Sequence, residues 1–436
     1  MSKNDIILRN PKQGALVKAT QQSQTFLTLL QQSDEQRLIE LLKTIDAADA
    51  NVLISGLEHI KWTAQFIEKY AEYWYFGRLS GNKALPWSIA LIERFKDRWD
   101  WERLSLNQAL PWSIALIERF EDRWKWGFRG LSDNEALPWS IALIERFETR
   151  WDWRALSSNQ ALPWSIELIE RFEEHWDWEM LSLNQALPWS IALIERFETR
   201  WDWERLSLNQ ALPWSMEFFE HFEEHWFGWE LSRNEALPWS IALIERFKEH
   251  WDWRELSGNQ ALPWSMEFFE HFETRWNFEG LSWNQALPWS MEFFERFEDF
   301  WDFEQLSHNQ ALPWSIALIE RFEDRWKWWR LSQNEALPWS MEFFERFEDS
   351  WDFERLSRNQ ALPWSIALIE RFEDRWVWRR LSENEALPWS IDLLEKFKYK
   401  WYWLDLAFNE KVQQIFTALS VQGIEEVMDY HIEKLS

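Results

Sequence analysis

The sequence predicts an all-α solenoid, right- or left-handed, of about fourteen 25-residue two-helix repeats with helical N- and C-terminal caps. Three observations predict it. Pro-Trp-Ser recurs thirteen times between Pro86 and Pro388. Within each copy, apolar residues are spaced by three and four, the pattern of one helical face. Serine, aspartate and proline stand where helices of that length start and stop. Successive copies are 25 residues apart, except for 27 between Pro111 and Pro138, where Trp126-Gly127-Phe128-Arg129-Gly130 carries two extra residues.

In chain order, residues 1–60 read as an N-terminal helical cap or small module. Residues 24–32 and 34–45 supply Phe26, Leu27, Leu29, Leu30, Leu38, Ile39, Leu41 and Leu42 for two amphipathic helices. The solenoid runs over 61–412. Its first unit is worn: Trp62, Ile67, Glu68, Tyr70, Trp74, Leu79, Ser80 and Asn82 stand in register with Trp87, Ile92, Glu93, Phe95, Trp99, Leu104, Ser105 and Asn107. A terminal unit has water on one side, so wear there fits a cap. In a full unit, Ser88 is the N-cap of a helix expected over 89–98, with Trp87 and Ile92 as its hydrophobic staple. Trp99, Asp100 and Leu104 repeat the device for a short helix over 101–106. Asn107 suits a left-handed residue closing that helix, and Pro111 forces an extended link over 108–110. A leucine-rich repeat is the nearest rival, because Leu104-Ser105-Leu106-Asn107 resembles its strand. It fails two residues before Leu104, where an apolar residue is needed and Glu102, Arg154, Glu179 and Arg254 occur. Residues 413–436 form the C-terminal helical cap; with the preceding turn they supply Ile415, Phe416, Leu419, Ile424, Val427 and Met428 to cover the last repeat.

Composition narrows the functional classes. A chain of 436 residues has room for about three ordinary domains. Its 40 Trp and 32 Phe instead signal one aromatic unit repeated many times. The net charge of -27, from 47 Lys+Arg against 74 Asp+Glu, argues against duplex nucleic acid and membrane surfaces as partners. With no cysteine there are no disulfides, thiol nucleophiles or zinc–thiolate sites. The N-terminal Met1-Ser2-Lys3-Asn4-Asp5 has no secretory pattern, and no apolar run approaches membrane-span length, so the expected location is cytoplasmic.

The motif Trp-x-Trp-x-x-Leu-Ser-x-Asn followed by Leu-Pro-Trp-Ser, as in Trp99-Asp100-Trp101-Glu102-Arg103-Leu104-Ser105-Leu106-Asn107, resembles the tandem tryptophan-rich repeats of bacteria and giant DNA viruses. The resemblance covers about 350 of the 436 residues. It implies a repeat scaffold and carries no catalytic residue.

Stacked units turn residues into columns. The Trp87, Trp99 and Trp101 columns are expected to be core, and the Asn107 column a helix-closing residue or a buried ladder. The adjacent Glu93 and Arg94 columns are expected to pair between units on a solvated face. His221 and His225, one helical turn apart beside Glu220 and Glu224, have a metal-like spacing but occupy columns that elsewhere hold arginine. No metal or other cofactor is expected, and no catalytic constellation is found. One column differs from the rest: Gly81, Leu106, Asp133, Ser158, Leu183, Leu208, Arg233, Gly258, Trp283, His308, Gln333, Arg358 and Glu383 vary between unchanging neighbours. Drift at an exposed turn would explain the variation. Partner contact would explain it too, with Leu106, Asp133, Ser158, Leu183, Leu208, Arg233, Trp283, His308, Gln333, Arg358 and Glu383 as the binding residues, since a solenoid aligns equivalent positions. The expectation is a non-enzymatic scaffold binding a protein or peptide. The alternatives are a single-stranded nucleic-acid reader using one residue per repeat, or a structural rod that self-assembles end to end. The nucleic-acid reading conflicts with charge, since Glu217, Glu220, Glu223, Glu224, Glu230 and Glu235 face only Arg233 in one unit.

Overall fold

A computed structural model describes residues 32–435, and every regular element among them is helical. The Leu-Ser step that resembles a leucine-rich strand lies instead on a helix, Trp101–Leu106. The expected helix over 24–32 lies, but for its last residue, outside the described residues. The chain forms two compact units: Met1–Pro86 together with Trp378–Ser436, and Trp87–Val377.

One repeat of the second unit shows how the sequence makes the fold. Pro188 holds the chain extended up to Ser190, whose hydroxyl accepts the Leu193 N–H at 3.2 Å and starts the helix Ile191–Arg196. The expected four further residues are not helical. At this end the Trp201 indole N–H donates to the Ile194 carbonyl at 3.1 Å, and the Glu198 N–H turns to the Glu195 carbonyl instead. The Arg200 and Trp201 N–H groups both turn back to the Phe197 carbonyl. Asp202 then accepts the Arg205 N–H at 3.0 Å and starts Trp203–Leu208. Asn209 is extended, at φ -71° and ψ 116°, rather than left-handed. Among the described residues the one non-glycine with positive φ is Arg129.

Leu193, Ile194, Phe197, Trp201, Leu206 and Leu212 form the buried layer of this repeat. The Trp201 ring packs between Trp189 of its own repeat, centroids 5.1 Å apart, and Trp178 of the preceding one at 4.9 Å. The tilted and edge-on geometries are those aromatic quadrupoles favour. Only the Trp99 column is fully buried; most rings of the Trp87 and Trp101 columns are half-exposed at the edge of the core.

In the first unit, a helix over 32–44 and the helix Ala47–Ser55 precede the worn repeat, and Glu410–Ile415 and Val421–Leu435 follow the last one. The two caps pack on one another through Lys43, which pairs with Glu426 at 2.7 Å; Arg37 also bonds Asp392 and Glu395 of the last repeat at 2.5 Å each, and the Tyr70 hydroxyl of the worn repeat donates to Asp429 at 2.8 Å. The His431 ring nitrogen Nε2 lies 2.9 Å from the Leu42 carbonyl.

Candidate functional site

The residues that never change within the repeat are occupied internally. The Asn209 side-chain amide donates to the carbonyls of Ser182 and Asn184 in the preceding repeat, at 2.9 and 3.2 Å, and its oxygen accepts the Ala211 N–H at 2.8 Å. The same two donations recur at Asn234, Asn259, Asn284, Asn309, Asn334 and Asn359. The Asn column is therefore a buried ladder. The serine beside it does a second job: Ser182 Oγ donates to the Trp178 carbonyl at 2.7 Å and accepts the Asp202 N–H of the next repeat at 3.0 Å. The indoles of Trp203 and Trp214 satisfy the Glu198 and Asn209 carbonyls.

The Glu93 and Arg94 columns pair between repeats, as their alternating signs predict. Arg119 meets Glu93 at 3.1 Å, Arg146 meets Glu118 at 2.7 Å, and the series runs on to Arg371 with Glu345. Lys96, with Arg119 behind it, holds the Glu93 carboxyl below its usual range. His221 replaces an arginine in this series and pairs with Glu195 at 2.8 Å. His225 reaches Glu198 at 3.2 Å and stacks on Trp203, centroids 4.3 Å apart. The two histidines thus turn to different partners in the preceding repeat.

The variable column lies at or just beyond the C-terminal ends of the second helices, and from Trp153–Ser158 to Phe303–Leu306 these lie one against the next. In the Trp87–Val377 unit, Leu106, Ser158, Arg233, Trp283, His308 and Arg358 are exposed. Asp133, Leu183, Leu208 and Gln333 are half-buried, and Gly258 is buried. Glu383, exposed, belongs to the other unit, where Arg380 contacts it at 3.2 Å. Trp283 is 43% exposed, yet it is not a free-standing ring. A Cβ at Gly258 would lie 2.1 Å from Trp283 Cζ2, so the indole rests on the bare glycine of the preceding repeat. Arg233 stacks over Trp229 at 5.1 Å and approaches Glu255 at 3.5 Å.

The two positions before each Leu-Ser share this face, although reading the sequence singles out only their variability. They carry inter-repeat pairs, including Arg205 with Glu179 at 3.0 Å and Arg254 with Glu279 at 2.7 Å. They also carry exposed rings: Trp229 at 47% and Trp329, flanked by Arg330 and Arg355. Glu230, buried beside Trp229, has its carboxyl pushed up by desolvation, with Glu204 adding to the effect.

The break in periodicity opens a pocket in this face. The two extra residues lift Phe128 out to 68% exposure and replace the helix with the 3-10 turn Leu131–Asp133. Arg129 is held at φ 55°, its N–H bonded to Asp133, and a Cβ at Gly130 would lie 2.1 Å from the Lys125 carbonyl. Part of the internal ladder survives: Asn134 still reaches the Ser105 carbonyl and Ser132 Oγ still accepts the Asp152 N–H. The result is a pocket of about 270 Å³ between Phe128, Asp133, Asp152 and Arg154, with Ala155, Ser158 and Met180 completing it. Two of its residues, Asp133 and Ser158, belong to the variable column.

No protein family, curated protein or solved structure matches the chain. No described helix is long and apolar enough to cross a membrane.

Proposed function

We propose that the chain is a non-enzymatic repeat scaffold that binds a protein or peptide along the face of its second helices. One contrast carries the reading: constant residues spend their polar groups on neighbouring repeats, whereas the column with nine residue types lies mainly at the surface. Exposed aromatic and arginine side chains, the types that dominate binding energy at protein interfaces, gather on this face at Trp229, Arg233, Trp283, Trp329 and Arg358. A phosphate chain is less well served, because Arg205, Arg233, Arg254 and Arg330 are already engaged by glutamates. End-to-end assembly through the caps is also less well served, since these pack on each other. The test is capture of partners from the source organism by the chain and by a variant with serine at 283, 308, 333 and 358. Loss of a captured partner, with thermal stability nearly unchanged, is expected. Unaltered capture would return the column to neutral drift.

A further inference from the structure

We propose that the pocket at the 126–130 insertion receives a basic side chain, arginine or lysine, from a peptide lying on the variable face. The proposal rests on the binding reading above and adds the chemistry of one anchor. Its argument begins with what the insertion costs and where the change appears. A backbone held at φ 55° in a non-glycine residue is strained, and such strain persists only where surrounding structure enforces it. Here one Asn134 bond and the Ser132 bond to the neighbouring repeats are retained, and they hold the inserted segment in place.

The lining then selects the ligand. Phe128 presents a largely exposed ring. Ala155 and the flexible Met180 supply apolar contact for an aliphatic stem. Asp133 and Asp152 each accept a backbone N–H, from Arg129 and Ala155, and a carboxylate retains further acceptor sites. The one cation in the lining, Arg154, is drawn to Asp177 at 3.2 Å and Glu179 at 4.0 Å in the next repeat. Arg129 shows the same preference from outside the pocket, its guanidinium 5.5 Å from the Phe128 centroid. An acidic side chain would meet two carboxylates, and a neutral one would leave them unanswered. A cation on an apolar stem satisfies both the ring and the acids. The chain's net charge of -27 would draw a basic peptide toward it.

The experiment uses the full chain labelled at its methionine methyls, because Met180 is the one of the seven that lines this pocket. N-acetyl-arginine amide and N-acetyl-lysine amide are titrated separately against N-acetyl-norleucine amide, which has the stem without the charge. Saturable movement of the Met180 resonance is expected with the basic probes, with the neutral probe about tenfold weaker. Phe128→Ala and Asp133→Asn should each weaken the basic probes about fivefold, the second keeping an acceptor for the Arg129 N–H. Equal response to norleucine amide, no movement up to about 50 mM probe, or insensitivity to both substitutions overturns the proposal. Because the probes are single amino acids, the result is independent of partner capture. If capture survives the four serine substitutions while the Met180 titration behaves as expected, the face reading fails and the basic-side-chain site stands.

Discussion

Asn209 illustrates why one residue type recurs without exception. Its amide has two donors and its carbonyl oxygen one strong acceptor role, and the fold uses all of them in a site 2% exposed. Asn209→Ala leaves the Ser182 and Asn184 carbonyls without this donor and should cost about 1 to 3 kcal/mol. Because long repeat arrays depart from two-state unfolding, the readout is amide exchange in repeats flanking 209. Exchange no faster than in the parent chain would show the ladder to be dispensable. Gly258 and Trp283 make a second, local case. Gly258→Ala drives a methyl into the indole edge, and overpacking of this kind costs about 1 to 3 kcal/mol. The indole is half-exposed and can swing aside, so the lower end is expected. In a Trp283→Ser background the penalty should vanish, and a double-mutant cycle measures the coupling directly.

Six-residue helices are too short to stand alone, so caps and packing divide the work between them. Reading the sequence places both caps correctly, since Ser190 and Asp202 each accept a helix N–H. It also predicts that second helices lacking the aspartate should be frayed or displaced; this fits Trp328–Leu331, which has four residues after Lys327, and the 3-10 turn Leu131–Asp133 after Lys125, but not every uncapped helix. Gly228–Arg233 keeps six residues with Phe227 at the cap position and no side-chain bond. Conversely, Phe303–Leu306 and Phe353–Leu356 have four despite capping by Asp302 and Asp352. The aspartate therefore contributes energy without setting length. Lys327→Asp should supply the absent cap to Trp328–Leu331 and slow exchange there by an amount equivalent to about 1 kcal/mol. No change in exchange would assign that helix wholly to its packing. Apolar spacing overstates the length of the first helix because it continues through Phe197 and Trp201, which pack in the core after the helix has ended.

Across the chain, acidity is organised as rows of glutamate answered by arginine or histidine from the next repeat. Individually such exposed pairs are weak, about 0 to 1 kcal/mol. The first unit adds a titratable contact of a different kind. Burial, reinforced by the bond to Asp429, pushes the Tyr70 hydroxyl up to about 12 from its ordinary 10.0. The unfolded chain therefore loses this proton first as pH rises. Stability from the protonated hydroxyl is complete below pH 10 and lost progressively toward about 12. Lys69, raised by its contact with Tyr70 and then by Glu425, acts in the same direction. Tyr70→Phe should lower stability at neutral pH by about 1 kcal/mol, the net worth of a typical hydrogen bond, and flatten the loss above pH 10. An unchanged alkaline slope, followed by thermal melting of chain and variant, would place that loss elsewhere in the molecule.

Periodicity alone was enough to establish an all-α repeat, its two helices, their serine and aspartate starts, and the opposed Glu93 and Arg94 columns. These are consequences of spacing, and spacing is written along the chain. The role of the Asn column needed the structure, because its partners lie 25 and 27 residues away and are backbone carbonyls common to every residue type. The same holds for the pocket: two extra residues mark the place, but Met180 enters it from a different repeat. Trp283 was legible as an outlier in its column, and Gly258 as another. That one is the seat of the other depends on a contact across repeats. Packing of the two caps was least legible, because Lys43 and Glu426 are separated by 383 residues and each side of the pair is an ordinary charged residue on an ordinary helix. Local geometry follows from neighbours in the chain, whereas the pairing of distant polar groups is decided when burial forces each donor to find an acceptor.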